Sequence, residues 1–590
     1  MMNPLLTKYA CTLLNVLIFV FCCTTIHAQD AKTRLYDLYD EVEEYEDSLR
    51  SAGEETAFST FSIAEREEQD QYWKEKLERL SEIDRGALEW GDRVSYDLFE
   101  RDLLREIQDH EFADYLVPIN HEGGFHTRIV GRANSADPES VEEYEKYIAR
   151  LKSVPKYFEG NMELMRKGLA TGQTLPQKVL TDDYKVMMTS QIVDDPTQSD
   201  FYKPFQEFPT SISQDERQRL RKEGWVAIQE AVVPAYQDFL DFMEEEYMPG
   251  ARESIAITDL PGGEKYYNFL VQYYTTLDLS PREIHQIGLE EVKRIRSEME
   301  AIIKDVEFEG TFDEFLQFLR TDPQFYVEEP EQLLKEATYI AKRMDGQLPR
   351  LFNMMPRKPY GVEPVPAHLA PRYTGGRYSP ADGETDAGNY WVNTYDLDSR
   401  PLYTLEALTF HEAVPGHHLQ IALAKELDLP EIRREAGVTA FVEGWALYSE
   451  RLGLEAGFYQ DPYSNFGRLT YEMWRACRLV VDTGMHALGW SRERAVQFMT
   501  ENTALSHHEI NTEINRYIAV PGQALAYKIG ELKIRELREK AEQELGDNFD
   551  VRKFHDAVLL NGPVPLTALE QNIEDYIEKT KTEAEKEDET

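Results

Sequence analysis

Cysteine is scarce in this sequence of 590 residues, and the positions of the few cysteines limit its covalent cross-links. Cys11, Cys22 and Cys23 lie in an apolar N-terminal segment, and Cys477 stands alone in the rest of the chain. Removal of the N-terminal segment would leave no pair to form an internal disulfide. A chain of this length buries enough apolar surface to fold without disulfides, so their absence is compatible with export.

Basic residues are outnumbered, with 64 lysines and arginines against 109 aspartates and glutamates. The resulting net charge of −45 repels phosphate groups, which argues against nucleic acid or an anionic membrane surface as a partner. The acidic surplus is explained most simply as a feature that keeps the surface soluble.

An apolar run covers residues 13–23 and is shorter than the roughly 20 residues needed to cross a bilayer. Ile26-His27-Ala28 follows it and supplies a small residue at the cleavage site of a secretory signal peptide. We therefore predict a signal peptide over residues 1–28, a mature chain without a membrane span, and a periplasmic or extracellular location in a bacterium. A transmembrane anchor is the alternative. Lipid attachment at Cys22 or Cys23 is disfavoured because Phe21, rather than a small residue, precedes Cys22.

Apolar residues recur at helical spacing through most of the chain, for example Leu35, Leu38, Tyr39, Val42 and Tyr45. This pattern predicts a mainly α fold, and no internal repeat accompanies it. We predict an N-terminal helical region over residues 29–260 and a C-terminal region over 261–576, together forming one continuous two-lobed fold. The charge-rich residues 577–590 are predicted to be a disordered tail.

Proline, glycine and aromatic residues accumulate between Lys358 and Arg400. Within this segment, Tyr373–Tyr378 and Gly388–Tyr395 predict a strand pair or hairpin. Residues 390–395 could bind a peptide as an additional strand, and a plain hairpin that shields the site is the alternative.

The segment His411-Glu412-Ala413-Val414-Pro415-Gly416-His417-His418 resembles a zinc-binding helix with altered spacing. In His-Glu-x-x-His, two histidines on one helix face bind zinc and the glutamate acts as the base. On a regular helix, His417 would point about 120° away from His411, and His418 would lie roughly 10 Å along the axis. A shared metal therefore requires a break in the helix, and Pro415-Gly416 provides one. Otherwise, the helix ends at Val414 and the histidines are incidental surface groups.

Glu443 is the predicted third metal ligand. It lies in a largely apolar helical pattern, where an unpaired carboxylate is costly to bury and a metal would relieve that cost. Glu450 lies on the same helix face and is predicted to orient a ligand histidine through a hydrogen bond. An exposed carboxylate at the helix end is the alternative reading of Glu450.

Three separated motifs resemble the bacterial family called domain of unknown function 885. They are His411–Gln420, Glu443–Tyr448, and Arg516-Tyr517 followed by Pro521–Tyr527. The family is distantly similar to the helical zinc oligopeptidases, which include neurolysin-like enzymes and angiotensin-converting enzyme. This resemblance implies a zincin-like helical shell around a deep channel, with a small sheet beside the active-site helix. The Gly-His step matches those enzymes better at His417 than at His418.

The resemblance also implies a mechanism for hydrolysis of oligopeptides with one Zn²⁺ per chain. Zinc held by His411, His417 and Glu443 lowers the pKa of a water toward about 7, and Glu412 accepts its proton. A donor from a later helix stabilises the oxyanion. We favour Tyr527 and then Tyr517 as that donor, and either is otherwise a packed core tyrosine; the same region also offers Arg516, His507 and His508.

Two other functions remain open at this stage. The chain could be a non-catalytic peptide-binding envelope protein on a peptidase scaffold, although the presence of Glu412 argues against it. It could also be a zinc amidase acting on non-peptide substrates. The sequence leaves the cleavage mode and the oligomeric state undetermined.

Overall fold

The computed structural model describes residues 29–49, 56–58, 60–121, 123–180, 182–366, 369–370, 373–381, 383 and 385–588. The predicted signal peptide and its cysteines lie outside these residues. Over the described ranges, no helix is both long and apolar enough to cross a membrane.

The chain divides into two compact units. The first includes the chain up to Ile119, Gly123–Thr174 and Thr181–Gly250. The second includes Asn120–Glu122, Leu175–Leu180 and the chain from Ala251 onward. After two short earlier segments, the chain therefore stays in the second unit from Ala251, shortly before the boundary that the sequence placed at residue 260.

Helices form most of the first unit. They are α1 (29–49), α2 (Ile63–Ser81), α3 (Trp90–Phe112), α4 (Phe125–Asn134), α5 (Val141–Thr171), α6 (Asp182–Thr189), α7 (Gln214–Ala227), α8 (Val233–Phe242) and α9 (Met248–Gly250). Two short strands, β1 (Ile119–Asn120) and β2 (Gly123–Gly124), precede α4. The amphipathic pattern of α1 is confirmed, because Leu35, Leu38 and Val42 are buried on one face.

The second unit is also mainly helical and carries every candidate site residue. Its first helices are α10 (Gly263–Thr275), α11 (Pro281–Asp305), α12 (Phe312–Thr321), α13 (Pro330–Asp345) and α14 (Leu348–Leu351). Three strands follow, β3 (Tyr360–Pro364), β4 (Gly376–Ser379) and β5 (Gly388–Val392). The remaining helices are α15 (Leu405–Glu412), α16 (His417–Glu426), α17 (Glu431–Arg434), α18 (Thr439–Glu455), α19 (Pro462–Ala487), α20 (Arg492–Asn502), α21 (His507–Ala519), α22 (Ala526–Leu545), α23 (Val551–Leu559) and α24 (Leu566–Asp588).

Helix α19 lies at the centre of this unit. From Phe466 to His486 its residues are all buried, and it packs against α11, α15, α18, α20, α21 and α22. A helix that is buried all round must pair its polar residues internally. Arg468 pairs with Glu472 within α19, and Arg475 and Arg478 pair with Glu450 and Glu513 of neighbouring helices. The last two arginines lie close to the candidate site.

Helices α18 and α22 touch through their backbones. A Cβ atom on Gly444 would lie 2.5 Å from the carbonyl carbon of Gly530, and one on Gly530 would lie 1.9 Å from the carbonyl oxygen of Ala440. Only glycine permits this approach. Because Glu443 precedes Gly444 and Tyr527 lies one turn before Gly530, the contact brings these two residues to neighbouring positions.

The strands of the second unit form one sheet of order β3-β5-β4. β5 pairs in parallel with β3 and antiparallel with β4, so the predicted strand pair is confirmed. The suggestion that a peptide adds a strand at residues 390–395 is wrong for 390–392, because both edges of β5 are already paired. The outer edge of β4 has no strand partner among the described residues.

The C-terminal segment differs from the prediction of disorder. α24 continues through residues 577–588, with Ile577 2% exposed and Thr580 8% exposed. Lys581 also pairs with Glu544 of α22 at 2.7 Å. The buried side chains of Ile577 and Thr580 and the pairing of Lys581 tie the start of this segment to the fold, which a reading based on charge alone overlooks.

Candidate metal centre

The break predicted at Pro415-Gly416 is confirmed. α15 ends at Glu412 and α16 begins at His417, and the Val414–Pro415 peptide bond between them is cis. A Cβ atom at Gly416 would lie 2.0 Å from the carbonyl oxygen of His411, so the loop can close only over glycine. The Trp445 indole of α18 donates to the carbonyl of Pro415 at 2.9 Å and fixes the loop against that helix.

The break brings His411 and His417 together with Glu443. Their potential ligand atoms all lie within 4.8 Å of one another. His411 Nε2 is 3.5 Å from Glu443 Oε2, and His417 Nε2 is 3.3 Å from the same oxygen. Two ligands held at about 2.05 Å by a tetrahedral ion lie about 3.3 Å apart, so these separations match those around zinc.

The donor types also fit a divalent transition metal. Two imidazoles and one carboxylate are common zinc ligands, and three protein ligands leave a coordination position open for chemistry. Glu443 Oε2 is buried and lies within 3.5 Å of both imidazole Nε2 atoms. A buried carboxylate is costly unless it is paired, and a cation held between these three atoms would pair it.

The charges of Glu443 and His411 strongly influence each other's pKa values. Burial alone would raise the pKa of Glu443, but His417 and His411 hold that pKa well below its usual range. Burial opposes protonation of His411, yet Glu443 and Glu450 raise its pKa to about 9. The two carboxylates thus favour a positive charge between them, which a metal can supply in place of a proton.

Glu450 orients His411 through the ring nitrogen Nδ1. Its Oε1 lies 2.8 Å from Nδ1 of His411, which directs Nε2 toward Glu443. Glu450 is 1% exposed, so the alternative reading of an exposed carboxylate is wrong. Arg475 of α19 approaches the same oxygen at 3.4 Å and balances its charge. Sequence reasoning missed Arg475, although an arginine within an apolar helical pattern was an available signal.

Glu412, the predicted base, is held by the sheet. The backbone N–H of Tyr378 in β4 donates to Glu412 Oε2 at 2.7 Å. Glu412 is 8% exposed and directly follows His411 in the chain. The carboxylate therefore lies between helix α15 and the outer edge of β4. Tyr378 was not singled out from the sequence, because a backbone contact leaves no residue-type signal.

His418 points away from the group. Its Nδ1 lies 3.0 Å from the Tyr378 hydroxyl, and its ring packs against that of Tyr360 at 4.6 Å between centroids. Burial lowers the pKa of His418 to about 4, so it is neutral. Of the two histidines left open by the sequence, His417 is the one beside His411 and Glu443.

The two candidate oxyanion donors have different surroundings. The Tyr517 hydroxyl is buried, donates to Glu513, and accepts from Trp474 at 2.9 Å and from Arg478 at 2.7 Å. Tyr527 is only partly buried. Burial raises the pKa of Tyr527 and the Glu443 carboxylate raises it further, which is consistent with a position beside the metal group. His507 and His508 are exposed at the start of α21.

Two cavities adjoin the elements of the site. One of about 230 Å³ is lined in part by Leu408 of α15 and Tyr471 of α19, and one of about 860 Å³ by Tyr378 and Ala422 of α16. His411, His417 and Glu443 are absent from both linings. Neither cavity by itself defines where a substrate meets the group.

These features define a mainly helical protein with a buried His-His-Glu cluster formed by three helices and a glutamate held by a strand. The chain belongs to the family described as bacterial protein of unknown function (DUF885), whose profile matches residues 47–573. The resemblance seen in the sequence motifs is thereby confirmed at the level of this family.

Solved structures show the same fold. A candidate lipoprotein from Colwellia psychrerythraea is 29% identical, with a TM-score of 0.85, over 94% of this chain and 100% of that one. A candidate lipoprotein of unknown function from Shewanella oneidensis is 18% identical, with a TM-score of 0.70, over 91% of this chain and 98% of that one. No curated protein matches the sequence.

Proposed function

We propose that this protein is an exported zinc-dependent peptidase that hydrolyses oligopeptides. The observation that carries the proposal is the separation of 3.3 and 3.5 Å between Glu443 Oε2 and the two histidine nitrogens. These separations suit a tetrahedrally coordinated ion that has the radius and the ligand preference of zinc. The ion would be held by His411, His417 and Glu443, one per chain.

Zinc at this position would act as a Lewis acid that polarises a carbonyl and makes a water more acidic. Glu412 accepts the proton of the attacking water and delivers it to the leaving amine. The hydrogen bond from the Tyr378 N–H fixes one oxygen of Glu412, which keeps the other available for this transfer. Glu450 keeps His411 in the tautomer that presents Nε2 to the site.

The substrate backbone is proposed to lie along the outer edge of β4. The Tyr378 N–H of this edge is already donated to Glu412, and the remaining main-chain groups of the edge could bind an extended peptide without regard to its side chains. The contact between Tyr378 and Glu412 places the base at this edge. A peptide bound there would run through the channel that the family resemblance implies, between the sheet and the helices α15, α16 and α18.

Tyr527 is the proposed donor to the oxyanion. Its partial exposure and its electrostatic interaction with Glu443 support this assignment over Tyr517, whose hydroxyl already has three partners. Export is supported by the N-terminal segment and by the similarity to candidate lipoproteins.

The test compares purified wild-type protein with Glu412→Gln on a mixed peptide library, with zinc content measured for both. We expect wild type to cleave peptides and the variant to retain zinc while losing cleavage by about 100-fold or more. A zinc-loaded wild type that leaves the library intact would favour the non-catalytic binding protein or the amidase. Hydrolysis of simple amides without peptides would select the amidase.

A further inference from the structure

Two arginines beside the candidate centre share one carboxylate. Arg478 of α19 and Arg516 of α21 both donate to Glu513 Oε2, at 2.9 and 3.3 Å. Two guanidinium groups and one carboxylate leave a positive charge unbalanced.

The pair also has unused donors. Arg478 has a side chain that is 3% exposed, and its Nη1 is buried without an acceptor among the described residues. The Nε of Arg516 is in the same situation, although that side chain is 17% exposed. An unpaired buried N–H costs free energy, and a buried excess charge costs more. Both costs are removed by an anionic ligand that accepts hydrogen bonds.

The donors lie on the Tyr527 side of the metal group. The Arg478 guanidinium stands 4.2 Å from the centroid of the Tyr527 ring. Arg516 donates to the Gln523 amide oxygen at 2.8 Å, next to the start of α22. Tyr527 in turn interacts with Glu443 and lies one turn from the contact between Gly444 and Gly530. The arginine pair is therefore a neighbour of the proposed reaction centre.

We infer that Arg478 and Arg516 bind the C-terminal carboxylate of a peptide substrate. The donors without a partner are Nη1 of Arg478 and Nε of Arg516, so each guanidinium group would contribute one charge-assisted N–H···O bond to the carboxylate, and the buried position strengthens such bonds. A free α-amino group would be repelled by the same charges, which disfavours an aminopeptidase. The inference rests on the proposed function and specifies it as cleavage of peptides that are recognised by their free C-terminus.

An acidic side chain of the substrate is the other source of a carboxylate, and the probes separate the two. Calorimetry measures binding of three peptides to the full mature chain carrying Glu412→Gln and loaded with zinc. The probes are pentaalanine with a free carboxylate, pentaalanine amide, and Ala-Ala-Ala-Glu-Ala amide. We expect the free acid to bind at least about tenfold more tightly than either amide.

Arg516→Gln is the test variant, because Arg478 is too buried to replace safely. Arg535→Gln is its matched control, because the Arg535 side chain is 20% exposed, similar to Arg516, and pairs with Glu531 at 3.2 Å. We expect Arg516→Gln to bring the affinities for acid and amide within about twofold of each other, and Arg535→Gln to leave the ratio unchanged.

Equal binding of acid and amide would overturn the inference, as would undetectable binding of all three peptides. Preference for the glutamyl amide would instead assign the arginines to a side-chain pocket and contradict the C-terminal assignment. A different outcome would contradict the proposed function. A wild type that binds the acid selectively but cleaves nothing is not a peptidase, whereas one that cleaves acid and amide equally is a peptidase without this subsite.

Discussion

The backbone N–H of Tyr378 donates to the Glu412 carboxylate at 2.7 Å. This bond joins the edge strand β4 to the end of α15, where His411 also lies. The proposed base is therefore positioned by the sheet, whereas the proposed metal ligands are positioned by helices. A substrate bound along β4 would meet the base and the metal from one side.

Alanine variants of His417 and His418 distinguish the proposed metal ligand from the histidine next to it in the chain. We expect His417→Ala to lose bound zinc, because His417 Nε2 faces Glu443 at 3.3 Å. His418→Ala is the matched control, since His418 is also buried but bonds to the Tyr378 hydroxyl. Elemental analysis of both purified variants checks this. Zinc loss only in His418→Ala would reverse the assignment.

Gly416→Ala should destroy the loop between α15 and α16. The added Cβ would lie 2.0 Å from the carbonyl oxygen of His411, so the loop must shift and carry the histidines apart. We expect lost zinc and a Tm lower by several degrees. Gly437→Ala is the control, because a Cβ there meets nothing within 4 Å. Equal behaviour of the two variants in calorimetry and zinc analysis would refute this role of Gly416.

Glu450→Ala should weaken zinc binding without removing a ligand. The carboxylate orients His411 through a hydrogen bond of 2.8 Å, and losing such a partner typically costs 10- to 100-fold in metal affinity, or about 1 to 3 kcal/mol. Glu450→Gln keeps an oxygen that can accept this bond and should recover part of the loss. Competition with a chelator measures the three affinities. Unchanged affinity in the alanine variant would show that Glu450 is dispensable.

Asp482 should give the protein a measurable pH dependence. It accepts hydrogen bonds from Tyr267 at 2.6 Å and from the Gly522 N–H at 3.1 Å, and burial raises its pKa from 3.8 to about 7. Between these values the unfolded chain releases a proton that the folded chain keeps, so stability falls as pH rises. The Tm of wild type, relative to that of Asp482→Asn, should fall from about pH 4 to 7 and then remain constant. A Tm difference that is constant over this range would contradict the prediction.

The sequence predicted the parts of the site that depend on residue type and spacing. The geometry of a regular helix required a break between His411 and His417, and proline followed by glycine indicated where it would fall. A glutamate inside an apolar helix indicated Glu443 as the third member of the cluster in the same way. The mainly helical fold and the strand pair followed from periodicity and from local composition.

The remaining features depend on tertiary contacts that leave little trace in local sequence. Strand order placed β5 in the middle of the sheet, which moved the proposed peptide-binding edge to β4. The partner of Glu412 is a backbone N–H, and any residue type could supply it. Arg478 and Arg516 come together only because α19 and α21 pack side by side. The partner of Lys581 in α24 is Glu544, which is distant in the sequence.

The central claim is tested most directly by mass spectrometry of one peptide library after incubation with zinc-loaded wild type and with zinc-loaded Glu412→Gln. The account predicts cleaved peptides with wild type and an intact library with the variant at equal zinc content. An intact library with wild type, or equal cleavage by both proteins, would contradict it.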